Sequence, residues 1–252
     1  MNGSHFLTLY EDLLEGGQTL EVRGSKVIEL TDYRLRIPPL EYITSFQARK
    51  LNLAYCKQEW LWYLRGDRFD DSIQQHATMW KKLKQSDGGF NSNYGQYIFE
   101  EGQFEWCVRR LSEDKHTRQA SMQLLNKSHM YEGNTDFVCT HGINFRIRDN
   151  RLDMTVMMRS NDAIFGTTND VFCFGQLLLM TRAALLDQYP ELEVGTYTHF
   201  VNSIHVYERH WEMLERLIIE GQSGFYSIDQ VVPDSLDDVL LSTSKYGRWL
   251  RS

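Results

Sequence analysis

The most regular alternation of apolar and polar positions lies in the middle of the chain, in the segment INFRIRDNRLDMTVMM at positions 143–158. Apolar residues at 143, 145 and 147 are separated by polar ones, and the same period of two resumes after Asp149 and Asn150. A period of two is typical of a strand with one buried face, and an Asp-Asn pair suits a tight turn. The segment therefore predicts a β-hairpin.

Two further segments show strand-like alternation. TLEVRGSKVIELTDYRLRI (19–37) predicts a strand, a turn and a second strand, and EVGTYTHFVNSIHVY (193–207) predicts a late strand. Helical spacing of apolar residues predicts helices within positions 5–17, 46–67, 70–83, 104–115, 170–189 and 208–221, and NSNYGQ (91–96) is predicted to be a loop. The elements are mixed irregularly and no linker separates them. We therefore predict an α+β fold, with a large mixed β-sheet and flanking helices, in one domain spanning 1–252.

Composition narrows the class of protein. The chain has 252 residues, of which 42% are hydrophobic and 24% charged, and this balance is typical of a folded, soluble protein. The net charge is −7 and no block of Lys or Arg stands out, so a nucleic-acid polymer is not expected as a partner. No apolar run approaches the length of a membrane span, and the N-terminus lacks the features of a signal peptide. These features predict a cytoplasmic protein without a membrane partner.

The four cysteines do not form a C-x-x-C pair or a zinc-like spacing, so we expect no metal site. Cys56, Cys107 and Cys173 lie in helical patterns and are predicted to be buried. Cys139, in the segment DFVCTHG, is flanked by polar residues at the start of the hairpin and is a candidate nucleophile, if positive charge or hydrogen-bond donors favour its thiolate. His141 lies two positions on and in an extended chain need not touch the sulfur.

Two polar segments follow the hairpin. MRSNDAIFG (158–166) offers the guanidinium of Arg159 and the hydroxyl of Ser160, which both suit a phosphate oxygen. HVYERH (205–210) carries two histidines and a tyrosine, but no carboxylate or cysteine lies at the spacing that a metal would require.

The order of these motifs, from about 21 to 210, resembles the thymidylate synthase superfamily. The resemblance implies Cys139 as the nucleophile, with Glu59 of QEWLWYLRGD and Tyr94 of NYG in the catalytic cavity. It also implies cofactor contacts from Trp80, Asp162 and Gly166, a phosphate grip by Arg159 and Ser160, and sugar contacts from His205 and Tyr207. Arg118 of HTRQA would reach the substrate phosphate of a neighbouring subunit, which implies a homodimer.

The chain departs from the family pattern at several positions. The usual P-C-H around the nucleophile is V-C-T here, and His141 lies one position too late to be that histidine. Gln119 replaces the second arginine of the pair that includes Arg118. Arg23 lies in the loop that carries a phosphate-binding arginine, but one step from the expected position. The C-terminal segment LSTSKYGRWLRS (241–252) lacks the ending expected of a synthase that closes over folate.

The most informative departure is Asp170, where thymidylate synthases have an asparagine that suits uracil. Cytosine presents an amino donor at position 4 and an unprotonated ring nitrogen at position 3, and a carboxyl group that shares a proton with that nitrogen can bind both. Asp170 therefore favours cytosine, and SNDAIFGTTND resembles the phage deoxycytidylate hydroxymethylase branch of the superfamily. The alternative is that Asp170 caps the following helix, a role that Asn169 could fill equally well.

The resemblance implies transfer of a one-carbon unit from 5,10-methylenetetrahydrofolate to carbon 5 of deoxycytidylate (dCMP), with addition of water, through a covalent Cys139 adduct. Three alternatives remain open: hydroxymethylation of CMP, reductive methylation as in thymidylate synthase, and an inactive nucleotide-binding module or regulatory RNA binder. His205 and Tyr207 address the sugar 3′-hydroxyl, so the sequence leaves the choice between ribose and deoxyribose open.

Overall fold

A computed structural model gives the arrangement of the chain and describes residues 4–224 and 226–229. The C-terminal segment 241–252, whose ending departs from the family pattern, lies outside the described residues. No helix within the described residues is long and apolar enough to cross a membrane.

In the described residues, the α-helices are α1 (His5–Gly16), α2 (Leu53–Arg65), α3 (Trp80–Leu83), α4 (Gln103–Glu113), α5 (Gly166–Ala183) and α6 (Trp211–Gln222). The strands are β1 (Gln18–Val22), β2 (Ser25–Ile37), β3 (Ile43–Phe46), β4 (Ser121–Gln123), β5 (Thr140–Arg148), β6 (Arg151–Met158), β7 (Asn161–Asp162), β8 (Glu193–Tyr207) and β9 (Tyr226–Asp229). The large sheet has the order β1-β2-β8-β6-β5-β4, with β7 also beside β8, and β3 pairs with β9 separately. Because β6 and β7 run parallel to β8 while the other pairs are antiparallel, the sheet is mixed, and the predicted α+β class is confirmed.

Both predicted strand-turn-strand segments form hairpins with two-residue turns. Asp149 and Asn150 have φ values of 48° and 58°, and Arg23 and Gly24 have values of 52° and 73°. Two consecutive residues with positive φ give the turn whose twist matches that of the flanking strands. Turn chemistry therefore sets the register of β5 on β6 and of β1 on β2, and it places Arg23 at a hairpin tip.

Three predicted helices differ from the observed ones. The helix predicted within 46–67 begins only at Leu53, because the Asn52 side chain accepts from the Tyr55 N–H (3.1 Å) and caps it there. The helix predicted within 70–83 is a 3-10 turn (Ser72–Gln75) and the single turn α3, and the Asp70 carboxylate accepts from the Ser72 N–H (2.9 Å) where the first of these begins. The long helix α5 starts earlier and ends at Ala183 rather than near position 189.

A second kind of difference lies in the predicted loop NSNYGQ. Its last residue begins a short π-helical turn, Gln96–Glu100, which precedes α4. The amide of Asn93 explains why the chain turns here, since its nitrogen donates to the Asp67 carbonyl (3.0 Å) and its oxygen accepts from the Gly95 N–H (3.1 Å).

Helix α5 lies at the centre of the fold. Its own buried residues lie on all of its faces, as expected of a buried helix, and it packs on α2, β6 and β8. Gly175 allows the Tyr42 ring to pack closely against α5, because a Cβ at position 175 would lie 2.5 Å from that ring. Cys56 and Cys173 are buried where α2 packs on α5, and the Cys173 sulfur lies 3.8 Å from the Cys56 carbonyl oxygen. Cys107 is buried on α4, so the predicted burial of all three cysteines is confirmed.

Candidate active site

A cavity of about 1160 Å³ opens between the large sheet and helices α2 and α5. Its walls come from the β1–β2 turn, α2, α3, the residues before β5, the residues after β6, the start of α5 and the end of β8. Every predicted site residue except Arg118 lines this cavity. Within the described part of the chain, no group of three His, Cys, Asp or Glu residues could hold a metal ion.

Cys139 lies directly before β5 and is partly exposed to the cavity, unlike the other three cysteines. The Arg159 guanidinium approaches its sulfur at 3.4 Å and is held in place by donating to the carbonyl oxygens of Phe137 (2.6 Å) and Val138 (3.0 Å). Burial raises the pKa of the Cys139 thiol, and the positive charge of Arg159 opposes that rise without reversing it. The sulfur is therefore a thiol at rest, placed beside the cation that stabilises its thiolate.

Glu59 is buried on α2 at the cavity wall, with 6% of its surface exposed. Burial raises the pKa of its carboxyl to about 8, and the nearby Asp170 adds to the rise. Tyr55 donates to the Glu59 carboxyl (3.0 Å), and the indole N–H of Trp80 donates to the Tyr55 hydroxyl (3.0 Å). At neutral pH this carboxyl is largely protonated and can donate a proton into the cavity.

Tyr55 was not predicted as a site residue. It lies one helical turn before Glu59, and such i,i+4 pairs share a helix face, so the spacing could have revealed it. Its hydroxyl joins the predicted folate-contact residue Trp80 to the predicted catalytic residue Glu59.

Asp170 faces the same cavity from the second turn of α5. Since the helix begins at Gly166, the alternative that Asp170 caps it is wrong, and so is a capping role for Asn169. The Asp170 carboxyl accepts a hydrogen bond from the Asn161 amide (3.0 Å), and burial raises its pKa to about 7. Near neutral pH the carboxyl therefore interconverts between a pure acceptor and a donor-acceptor pair.

Asp162 and Gly166 shape the entry into α5. One oxygen of Asp162 accepts from the N–H groups of Ile164 (2.9 Å) and Phe165 (2.8 Å), which turns the chain into the helix. A Cβ at position 166 would lie 2.3 Å from the Asn161 amide oxygen, so a larger residue there would displace that amide. Both residues line the cavity while they hold the helix start in place.

Tyr94 lines the cavity between two other rings. Its ring stacks on Tyr63 (5.3 Å between centroids) and on Phe174 (5.9 Å), which join it to α2 and α5. Burial raises the pKa of its hydroxyl well above the usual value, so the group stays protonated.

One part of the cavity wall carries polar and cationic side chains from the end of β8, the β1–β2 turn and the residues after β6. His205 and Tyr207 lie two residues apart on β8 and so share its cavity face, with their rings 5.0 Å apart. Arg23 reaches the cavity from the β1–β2 turn, and Ser160 from the residues after β6. Arg209, which was not predicted, also lines this wall, with its guanidinium 4.3 Å from the Tyr207 ring centroid.

Two residues discussed from the sequence lie elsewhere. Arg118 is exposed in the connection between α4 and β4. His141 does not line the cavity, and its carbonyl oxygen accepts from the N–H groups of Leu124 (3.0 Å) and Leu125 (3.2 Å).

Known proteins that are similar in sequence and in fold place this chain in a family. A family model described as thymidylate synthase matches residues 4–238. The deoxycytidylate 5-hydroxymethyltransferase of Enterobacteria phage T2 is 30% identical over 189 residues, which cover 71% of this chain and 77% of that protein. The deoxyuridylate hydroxymethyltransferase of Bacillus phage SP01 is 25% identical over 226 residues, which cover 82% of this chain and 58% of that protein.

Among solved structures, the thermostable thymidylate synthase A from Bacillus subtilis superimposes with a TM-score of 0.71. The match covers 85% of this chain and 83% of that chain at 19% identity, which supports likeness of fold. Because the family model spans nearly the whole chain, the protein belongs to the thymidylate synthase family, whose enzymes transfer a one-carbon unit from methylenetetrahydrofolate to a pyrimidine nucleoside monophosphate.

Proposed function

We propose that this enzyme converts dCMP to 5-hydroxymethyl-dCMP, with 5,10-methylenetetrahydrofolate as the one-carbon donor and water as the final nucleophile. The observation that carries the proposal is Asp170, a carboxyl group that lines the same cavity as Cys139 and has a pKa raised by burial to about 7. Relatives named deoxycytidylate 5-hydroxymethyltransferase, at about 30% identity, support it.

Asp170 would select cytosine through its protonated form. A neutral carboxyl accepts from the amino group at position 4 and donates to the unprotonated nitrogen at position 3. Uracil reverses both requirements, since it offers a carbonyl oxygen and an N–H. The proton that Asp170 donates would also offset the negative charge that develops on the base after thiolate addition.

Cys139 would add to ring carbon 6 of the base, which makes carbon 5 nucleophilic. Arg159 stabilises the thiolate at 3.4 Å, and with Ser160 and Arg23 it would bind the phosphate and fix the base over the sulfur. Arg118 of a partner subunit would complete the phosphate site, which requires a homodimer. His205 and Tyr207 would hold the sugar 3′-hydroxyl.

The folate would bind in the same cavity. Met79 and Phe165 line it with 54% and 38% of their surfaces exposed, and the buried Trp80 lines it as well. Uncovered apolar surface in a cavity suits a flat aromatic ring, and Trp80, Asp162 and Gly166 would contact it. When bound, methylenetetrahydrofolate supplies the one-carbon unit that becomes attached to carbon 5.

Glu59 would handle the protons of the later steps. Carbon 5 must lose its hydrogen, and a water molecule must lose a proton as its oxygen bonds to the exocyclic methylene carbon. As that bond forms, the bond between carbon 6 and the Cys139 sulfur breaks. A buried carboxyl with a pKa near 8 can accept and return a proton at each stage, with the Tyr94 hydroxyl nearby as a neutral donor.

Mass spectrometry of the products tests this function directly. The enzyme is incubated separately with dCMP, CMP and dUMP in the presence of methylenetetrahydrofolate. We expect dCMP to gain the mass of one CH₂O and the folate product to be tetrahydrofolate. Gain of one CH₂ with release of dihydrofolate would instead identify reductive methylation, CMP as the better substrate would identify a ribonucleotide enzyme, and no product from any nucleotide would indicate an inactive module.

A further inference from the structure

Behind Asp170, a chain of polar side chains leads into the core. The Asn161 amide nitrogen lies 3.0 Å from the Asp170 carboxyl and 2.9 Å from Nε2 of His199. Nδ1 of His199 lies 2.7 Å from the Tyr197 hydroxyl. His199 and Tyr197 are two residues apart on β8 and point to the same face of the strand. Both are fully buried, so neither can contact the nucleotide.

When Asp170 acts as an acceptor, only one placement of the protons satisfies the hydrogen bonds between these side chains. Burial lowers the pKa of His199 to about 3, so its ring is neutral and carries one proton. The amide nitrogen of Asn161 has two protons, and its strong acceptors are Asp170 and Nε2 of His199, with the Met158 sulfur a weaker third neighbour at 3.2 Å. Nε2 must then be unprotonated, and the ring proton lies on Nδ1, where it is donated to Tyr197.

The orientation of the Asn161 amide depends on this tautomer. Its oxygen faces Gly166, where a Cβ would come within 2.3 Å, and its nitrogen faces the imidazole and the carboxyl. If Nε2 carried the proton, two N–H groups would face each other and the amide would turn over. A turned amide would present its oxygen to Oδ2 of Asp170. The carboxyl proton would then lie on Oδ2 and be donated to Asn161, so it would not be available to the base.

We propose that His199, supported by Tyr197, is a positioning residue for base selection: its unprotonated Nε2 holds the Asn161 amide with its N–H₂ toward Asp170, which keeps Oδ2 an acceptor and directs the carboxyl proton to Oδ1. This inference rests on the proposed function, because it explains how Asp170 presents one acceptor and one donor to cytosine. His199 acts through Asn161 and does not touch the base.

The test measures equilibrium binding of dCMP and of dUMP without folate, so that the result does not depend on turnover. His199→Phe keeps the ring volume and removes both nitrogens, and we expect the ratio of dCMP to dUMP affinity to fall about ten-fold. His199→Gln, which can again accept from Asn161, should restore most of the ratio. Tyr197→Phe should shift the ratio in the same direction by a smaller factor.

His129 provides a matched control. Its Nε2 lies 2.7 Å from the Tyr97 hydroxyl and its side chain is also buried, but it does not line the cavity. His129→Phe removes a similar hydrogen bond and should leave the affinity ratio unchanged, which separates positioning from a general loss of stability.

A folded His199→Phe variant with the original ratio would overturn the inference. If that variant does not fold, an unchanged ratio in folded Tyr197→Phe would overturn it as well. The unsubstituted protein tests the proposed function separately, because tighter binding of dUMP than of dCMP would show that the cytosine assignment is wrong. Even in that case, a change in the ratio of the two affinities in His199→Phe, with no change in His129→Phe, would support the positioning role.

Discussion

Two groups of charged side chains in the cavity lining differ in their exposure. An arginine rim, formed by Arg23, Arg159 and Arg209, keeps its positive charges exposed or half-buried. An acid floor, formed by Glu59 and Asp170, lies where burial raises the pKa of both carboxyls. The rim suits an anion that arrives from water, and the floor suits proton transfer to and from groups bound in the cavity.

This difference in burial explains how one cavity can both bind an anion and transfer protons. Exposed charges are screened by solvent and cost little to maintain, so they suit recognition of a phosphate. Buried carboxyls stay protonated near neutral pH because desolvation penalises their charged form, so they suit acid-base roles. Substitutions at the sulfur, the floor and the rim should therefore change different kinetic constants.

The largest effect is expected at Cys139, which lies beside Arg159 of the rim. Cys139→Ser should lower turnover by on the order of 10⁴-fold or more while nucleotide binding persists, because the hydroxyl is a far weaker nucleophile. Turnover and nucleotide affinity are measured side by side, with the buried Cys107→Ser as control. Appreciable turnover in Cys139→Ser would exclude this nucleophile.

The acid floor should affect kcat more than KM. Glu59→Gln keeps the shape of the side chain but removes its titrating proton, and we expect kcat to fall about 10²–10⁴-fold with little change in the KM for nucleotide. Glu113→Gln, at an exposed ion pair on α4, is the control. A rise in KM of the same size as the fall in kcat would place Glu59 in binding instead.

Asp170 should control the choice of base. Asp170→Asn replaces a carboxyl that suits cytosine with an amide that suits uracil, and we expect the ratio of kcat/KM for dCMP to that for dUMP to fall about 10²-fold. Competition between the two nucleotides in one reaction gives this ratio directly. Unchanged preference for dCMP would refute the cytosine reading of Asp170.

The acid floor should also make stability depend on pH. A folded-state pKa raised above the unfolded value gives stability that is present below pH 4 and is lost as pH rises toward 8, because the unfolded chain ionises first. Glu59→Gln should therefore reduce the loss of stability between pH 5 and pH 8 by about 1–3 kcal/mol. Urea unfolding at the two pH values measures it, and an equal loss in both proteins would contradict the raised pKa.

The smallest effect is expected at the exposed part of the rim. Arg209→Gln should raise the KM for nucleotide about 3–10-fold, and added salt should narrow the gap to the unsubstituted enzyme, since exposed charges are screened. Arg216→Gln, on the exposed face of α6 and outside the cavity, is the matched control. An effect that salt leaves unchanged would mean that Arg209 acts by packing on Tyr207.

Much of the site could be predicted because its residues lie in motifs that the sequence displays directly. Cys139, Arg159 and Asp170 were all identified from the sequence, and the cavity brings them together. Tyr55 and His199 were given no role, because a tyrosine or histidine in a buried helix or strand has the same pattern whether it supports the site or only fills the core. Asn161 and Arg209 were given no role either. The contacts of Tyr55 with Trp80 and of Asn161 with His199 join segments that are far apart in the chain.

The sequence by itself determined the two hairpins and the approximate positions of the helices predicted within 5–17, 104–115 and 208–221, because a period of two, turn residues and apolar helix faces act over a few neighbouring residues. It also predicted side chains that, apart from Arg118, line one cavity. The tertiary structure alone decided where the helix predicted within 46–67 begins, that the one predicted within 70–83 breaks into two short turns, and which groups hold protons at neutral pH. The physical reason is that capping bonds, desolvation and hydrogen-bond partners depend on neighbours in space, and the raised pKa values of Glu59 and Asp170 arise only when α2 and α5 pack against the sheet.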